Sequence, residues 1–257
     1  MSLLEQYIAL MTIVRKEIKR YLRIWTQTLL PSAITMSLYF VIFGSLIGSR
    51  IGEMGGFSYM EFVVPGLIMM SIVTNSYSNV VSSFFGAKFS HSVEELLVSP
   101  IPNYIILLGY VIGGVTRGLF VAVVVTIVSL FFTKLQIHSY FVVVLIVFMT
   151  STLFALAGFI NAVYANSFDD ISIVPTFVLT PLIYLGGVFY SMDMLPEFWA
   201  NVSKLNPLVY VVNAFRYGVL GVSDVSLSFS LAMIALFTVV AFTYSMHLLN
   251  SGKRLRQ

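Results

Sequence analysis

Followed along the chain, apolar and polar positions fall into long blocks. Six runs are largely free of charge: 26–49, 62–87, 101–133, 140–168, 171–192 and 225–249. A helix needs ~20 apolar residues to cross a bilayer, and each run is long enough to supply one. A transmembrane barrel would instead alternate over segments of ~10 residues. The pattern predicts an all-α polytopic membrane protein with six transmembrane helices, at 26–49, 62–87, 103–132, 140–164, 172–190 and 226–249. It breaks once, between the fifth and sixth runs. Met192–Asn206 is mixed, and 207–221 is apolar for only 15 residues, with Asn213 and Arg216 inside it. That is short for a crossing and predicts re-entrant outer helices, a hairpin over 191–221 that caps one end of the bundle.

Two polar interruptions carry patterns of their own. Before the first run, Tyr7, Met11, Val14, Ile18, Tyr21 and Trp25 recur at spacings of three and four, one stripe of an N-terminal amphipathic helix over 1–25. Arg15, Lys16, Lys19, Arg20 and Arg23 lie off the stripe. A basic amphipathic helix ending in Trp belongs at the interface of an anionic leaflet, as an anchor or as a dock for a cytosolic partner. Between the second and third runs lies the charged stretch Lys88–Pro102. Phe89, Val93, Leu96 and Leu97 are apolar there and Glu94 and Glu95 polar, the pattern of a short amphipathic helix stopped at Ser99-Pro100. It is either a solvated loop or a surface offered to something in the water.

Inside the runs, polar positions form two stripes. Ser71, Thr74, Asn75, Ser78, Asn79 and Ser82 share one face of the second span, and Thr176, Thr180, Tyr184 and Gly187 one face of the fifth. Such groups face protein or water rather than lipid, so they either bind neighbouring helices or line a path. Tyr39, Asn75, Asn79, Thr176, Thr180 and Tyr184 are the candidate path residues. Arg117, in the third span, is an intramembrane charge whose partner must come from another helix; it clamps a helix or subunit, or meets cargo. Gly109-x-x-x-Gly113 and Gly114-x-x-x-Gly118 flank it, and Gly44 and Gly48 form a similar pair in the first span, all suited to close helix approach. Asp169-Asp170 suits a helix N-cap better than a metal site, having no third ligand nearby.

Composition agrees: 58% of the residues are hydrophobic and 10% charged, more apolar surface than a soluble domain of this size can bury. Lysine and arginine set the orientation. With six spans, Arg15, Lys16, Lys19, Arg20, Arg23, Lys88, Lys253, Arg254 and Arg256 share one side, against Arg50, Lys134, Lys204 and Arg216 on the other. Both termini and the 88–100 segment are therefore expected in the cytoplasm. This bias accounts for most of the net charge of +3 and calls for no nucleic-acid partner, while membrane lipids surround the spans. The absence of cysteine excludes disulfides and thiolate metal sites. The first apolar run is long enough to stay as a span and is not a cleavable leader.

Catalytic patterns are missing. There is no P-loop, no His-Glu-x-x-His and no Gly-x-Ser-x-Gly, and His91, His138 and His247 lack ligand spacing. No enzyme activity, metal or cofactor is expected in the chain itself. Carboxylates that would couple transport to protons are absent from the span centres. A secondary transporter or channel remains the alternative, but a transporter without an internal energy source needs an external one.

Glu94-Glu95-Leu-Leu-Val-Ser-Pro-Ile-Pro102 resembles the segment after the second span of ABC-2 type permeases. So do Pro181–Tyr190, Leu195-Pro196, Leu205-Asn-Pro-Leu208, Phe215-Arg-Tyr-Gly218 and Gly221, in order along the chain. Phe57-Ser-Tyr59, Val64–Met70 and Phe168–Ser172 add a likeness to the YadH-type permeases of bacterial inner membranes. The resemblance implies a half-transporter: two copies of this chain with two cytosolic ATPase subunits, which bind the ATP and Mg. It implies that Lys88, Val93, Glu94, Glu95, Leu96, Leu97 and Pro100 belong to the segment coupled to the ATPase. It also implies export between the copies, past the second and fifth spans, of an amphipathic drug, a lipid-linked molecule or a saccharide.

Overall fold

The structure is a computed structural model that describes residues 1–252; Lys253, Arg254 and Arg256, counted in the charge balance, lie outside the described residues. Among the described residues, ten α-helices, one β-hairpin and a short 3-10 turn at Met192–Met194 build the fold. Helix α1 is Leu3–Arg23, and α2 is Trp25–Ile51, with a widened π-helical stretch at Phe40–Ile47. Strands β1 (Glu53–Met54) and β2 (Phe57–Ser58) pair antiparallel, Glu53 opposite Ser58, around Gly55-Gly56. Both glycines have positive φ, +62° and +82°, as a two-residue turn with right-handed strand twist demands. Then come α3 (Tyr59–Phe89), α4 (Ser92–Val98), α5 (Asn103–Ser129), α6 (Tyr140–Tyr164) and α7 (Asp170–Tyr184). The last three are α8 (Glu197–Ser203), α9 (Pro207–Leu220) and α10 (Leu227–Ser251).

Helix α5 is the post around which the rest is built, because its two small-residue pairs open two faces. A Cβ placed on Gly109 would lie 2.5 Å from Ile13 Cγ2, and one on Gly113 2.6 Å from Glu17 Cβ, so this pair receives α1. A Cβ on Gly114 would lie 2.7 Å from Val80 Cγ2 and 2.9 Å from the Ala155 Cβ, so the second pair receives α3 and α6. Close backbone approach is how helices gain packing energy in lipid, where no hydrophobic drive acts between them. Helices α3, α5 and α6 form the core, α10 lies on α6, and α9 fits among α3, α6 and α10.

Among the described residues, four helices are long and apolar enough to cross a membrane: Trp25–Ile51, Asn103–Ser129, Tyr140–Tyr164 and Leu227–Ser251. The chain is a polytopic membrane protein. Helix α3, at 31 residues the longest, is not among the four, and its run of Ser, Thr and Asn from Ser71 to Ser83 is the reason we assign. The segment expected as a fifth span over 172–190 departs from expectation. Its helix ends at Tyr184, and the chain turns at Gly187 with φ +74°. Pro181 has no N–H to return to the preceding turn, and the helix widens just before it, over Pro175–Leu179.

Two elements are buried more deeply than their local pattern suggests. The N-terminal helix does not leave its whole apolar stripe to lipid. It runs beside α5, with Gln6 taking the Tyr104 hydroxyl at 2.6 Å, and its buried residues are Ile13, Val14, Glu17 and Tyr21. Of the stripe, Val14 and Tyr21 are buried, but Tyr7 and Trp25 are exposed. The reason is that Gly109 and Gly113 offer a groove one helical position away from the stripe's centre. The second is 207–221, within the hairpin expected over 191–221: most of α9 is buried, including Asn213 and Arg216.

Candidate functional site

The 88–100 segment is held from within by Lys88. Its side chain is 2% exposed and donates to the carbonyls of Val163 at 2.9 Å and Ala165 at 2.8 Å, at the C-terminal end of α6. A cation at a helix C-terminus satisfies carbonyls that the helix cannot. Lys88 is thus a tie between two ends of the bundle and not part of an exposed face. Lys88→Met, which keeps the stem and removes the ammonium, is expected to cost about 1.5–3 kcal/mol. The check is a lower midpoint of thermal unfolding in detergent. Beside it, the Asp170 carboxylate accepts the amides of Asn166 at 2.8 Å and Ser167 at 3.2 Å, while the Ser167 hydroxyl accepts the Asp170 amide. These bonds, that from Asn166 foremost, hold the Asp170 carboxyl below the usual carboxylate range.

His91, in the left-handed region at φ +59°, turns the chain into α4. The short helix then divides its side chains. Val93 is 2% exposed and packed in the core, and Leu96 and Leu97 are half-buried against it. Val93 therefore offers no outward apolar surface and Leu96 and Leu97 only part of one, because the end of α3 takes them as cover. The outward face is His91, Glu95 and Val98, with Glu94 half-exposed beside it and bonded to His91 at 3.3 Å. Val98 is 79% exposed, and Pro100 is exposed beyond it. Phe89, also exposed, stacks edge-on with Phe168 at 5.0 Å.

Deeper in, the polar face of α3 meets α1 and α5. Glu17, fully buried, accepts the Ser83 hydroxyl at 2.6 Å and pairs with Arg20 at 3.3 Å. Arg20 also donates to Asn79 Oδ1 and to its carbonyl, both at 2.8 Å. Arg117 donates to Asn75 Oδ1 at 3.1 Å, and the Asn75 amide donates to Ser32 of α2 at 3.1 Å. The four-helix network explains Asn75, Asn79 and Arg117 as ties between helices. Arg20 was read in the sequence as one of the basic residues off the stripe of an interfacial helix, and Glu17 was not singled out. The signal was there: Glu17 lies three and four residues from Val14 and Tyr21, the two stripe positions that are buried.

Toward the other end, α2 and α7 meet through Tyr39 and Tyr184, whose hydroxyls are 3.3 Å apart. Phe43 and Phe189 complete the cluster, with Phe43 and Phe189 rings 4.6 Å apart and Tyr184 stacked on Phe189 at 5.8 Å. Thr176 and Thr180 are exposed on α7, the Thr180 hydroxyl turned back to the Pro175 carbonyl at 2.9 Å. Asn75 also borders a 190 Å³ cavity between α2 and α3, with Thr35, Ser71 and Thr74. The expected path residues therefore divide. Asn79 is enclosed, Asn75 is both a tie and a cavity wall, and Tyr39, Thr176, Thr180 and Tyr184 lie toward one open side.

The described residues form a mainly helical membrane bundle with a short helix at one end and a buried helix, α9, at the other. A family model described as ABC-2 type transporter matches residues 8–220, and the chain belongs to that family. It is a permease, and the ATPase activity of such a transporter lies in a separate subunit. The inner membrane transport permease YadH of Escherichia coli (strain K12) is 58% identical over 250 residues, covering 97% of this chain and 98% of the relative. Nodulation protein J of Neorhizobium galegae is 24% identical over 244 residues, covering 95% and 92%. Nodulation protein J of Rhizobium meliloti (strain 1021) is 22% identical over 213 residues, covering 82% and 81%.

Proposed function

We propose that two copies of this chain and two cytosolic ATPase subunits form an ATP-driven exporter of the inner membrane. Each copy contributes six spans: α2, α3, α5, α6, α7 and α10. The ATPase seats on α4 and α1, and cargo passes between the copies along α2, α3 and α7. The observation that carries this reading is the open side shared by α2 and α7. Thr176, Thr180 and Tyr184 are exposed there beside Phe177, which is 73% exposed. Polar groups at membrane depth are tolerated against protein or a water-filled path, not against lipid, so a second copy and a path between the two account for them. Helix α7 buries Leu179 and Ile183 and leaves Ile173, Phe177 and Val178 exposed. The cargo is of the amphipathic class named above: a drug, a lipid-linked molecule or a saccharide.

Glu17 is the one observation on the side of an ATP-independent transporter, being a buried carboxylate. Its pairing with Arg20 and Ser83 makes it a tie rather than a proton carrier. The two mechanisms separate in inverted membrane vesicles holding the chain and its co-purified ATPase. Transport should stop with vanadate and survive a proton uncoupler; the opposite result overturns the proposal.

The topology is tested separately, and the absence of cysteine makes it simple. Single cysteines at Leu10, Glu95 and Asp169 should react with an impermeant maleimide only from the cytoplasmic side. Those at Gly52, Gln136 and Ala200 should react only from outside. Labelling of Ala200 and Glu95 from the same side would defeat the six-span arrangement.

A further inference from the structure

At the end of the bundle opposite α4, a cavity of 580 Å³ lies beneath the β1–β2 hairpin. Ile51, Met54 and Phe62 give it apolar walls, and Arg216 and Asp224 give it polar ones. Arg216 is 0% exposed, and its guanidinium lies 3.8 Å from the centre of the Phe62 ring. Its Nη2 donates to the Gly187 carbonyl at 2.6 Å. Its Nε and Nη1 have no hydrogen-bond partner among the described residues. Asp224 does not supply one. Its two oxygens take the Ser191 hydroxyl at 2.9 Å and the Met192 amide at 2.7 Å, and no ion pair joins it to Arg216.

A guanidinium is a donor throughout and cannot give up its charge to escape burial. Donors left unmet in a dry site are costly, and the cost is removed by an acceptor, above all a charged one. We propose that this cavity receives an oxyanionic group, a phosphate or a carboxylate, on Nε and Nη1 of Arg216. The apolar walls suit the head of an amphipath better than a fully hydrated ion. Glu53 and Asp193 also line the cavity, but both are exposed, where water and salt screen them. Asp224 keeps its charge and lowers the positive potential, but both its oxygens are spent on Ser191 and Met192, so neither meets Nε or Nη1. The site stands apart from the exporter reading, since binding to it needs neither ATPase nor transport.

The test uses the cysteine-free chain with Met194→Cys, at a cavity position that is 64% exposed. Maleimide labelling is timed in detergent with inorganic phosphate, and with sodium chloride at equal ionic strength. Phosphate should slow labelling several-fold, and Arg216→Gln should remove the protection. Because Arg216→Gln can disturb folding, Ile51→Trp serves beside it: it fills the cavity, leaves the guanidinium alone and should abolish protection too. Vesicles of phosphatidylcholine with and without phosphatidylglycerol then name the source. Protection by phosphatidylglycerol alone identifies a lipid head, and protection only on adding phosphate identifies a free oxyanion. Equal rates in phosphate and chloride, protection by choline instead, or protection that survives Ile51→Trp would each overturn the site.

Discussion

Arg20→Ala is expected to destabilise the protein more than Glu17→Ala, although the two substitutions break the same ion pair. The asymmetry comes from burial. Glu17 is fully enclosed between α1, α3 and α5, whereas the Arg20 side chain is 26% exposed. Removing Arg20 leaves a buried carboxylate held by the Ser83 hydroxyl at 2.6 Å. A buried charge stripped of its partner costs about 3–5 kcal/mol. Removing Glu17 leaves Arg20 with its bonds to Asn79 and part of its solvent, which lowers the loss to about 1.5–3 kcal/mol, the worth of hydrogen bonds to a charged group. The double variant should cost less than the sum of the two, since neither orphan remains. Thermal unfolding in detergent measures all three. Equal single losses, or strict additivity, would mean that the pair does not hold α1 to the bundle. A second consequence follows for Gly113→Leu, whose side chain would occupy the place of the Glu17 Cβ. It should free α1 as Arg20→Ala does, without changing any charge.

Much of this arrangement was legible in the sequence, because a membrane imposes a simple code. Long apolar runs marked the helices, and the short, interrupted run at 207–221 marked the cap. Gly109, Gly113, Gly114 and Gly118 marked α5 as a helix approached closely on more than one side. The orientation of α4 was not legible. Val93, Leu96 and Leu97 are as apolar as an exposed docking face would be, and only the position of α3 decides that they face inward. Arg216 was misjudged for a related reason. In sequence it interrupts an apolar run and reads as an outer-side charge, but burial under Phe62 and a bond to Gly187 remove it from solvent. Glu17 shows the converse. Nothing in the local pattern drew attention to it, and a groove made of glycines nearly a hundred positions away buried it. Residues recruited by a distant backbone leave little trace in local periodicity.

Substitutions on α4 should separate two effects that the chain keeps on opposite faces. Val98→Asp, and Glu94→Lys with Glu95→Lys, alter the outward face. We expect them to insert, to unfold at an unchanged temperature and to lose ATPase retention. An apolar anchor at an interface typically contributes ~2 kcal/mol, roughly thirtyfold in affinity. The double-lysine variant should lose retention in a salt-dependent way, because rim charges act through a screened field. Val93→Asp belongs to the other class: it puts a charge where Val93 is 2% exposed, between α4 and the end of α3. It should lower the unfolding temperature first and lose the ATPase only as a result. Leu96→Ala and Leu97→Ala should fall between, since both side chains are half-buried. ATPase co-elution, hydrolysis and vesicle transport, measured on the same preparations as unfolding, distinguish the cases. If the outward variants keep full ATPase binding and transport, this face of α4 makes no contact with the ATPase and the coupling assignment fails. If the Val93, Leu96 and Leu97 variants lose the ATPase at an unchanged unfolding temperature, α4 must roll over on docking to present them. The apolar side of α4 would then be stored against α3 in the free subunit and given to the ATPase in the complex.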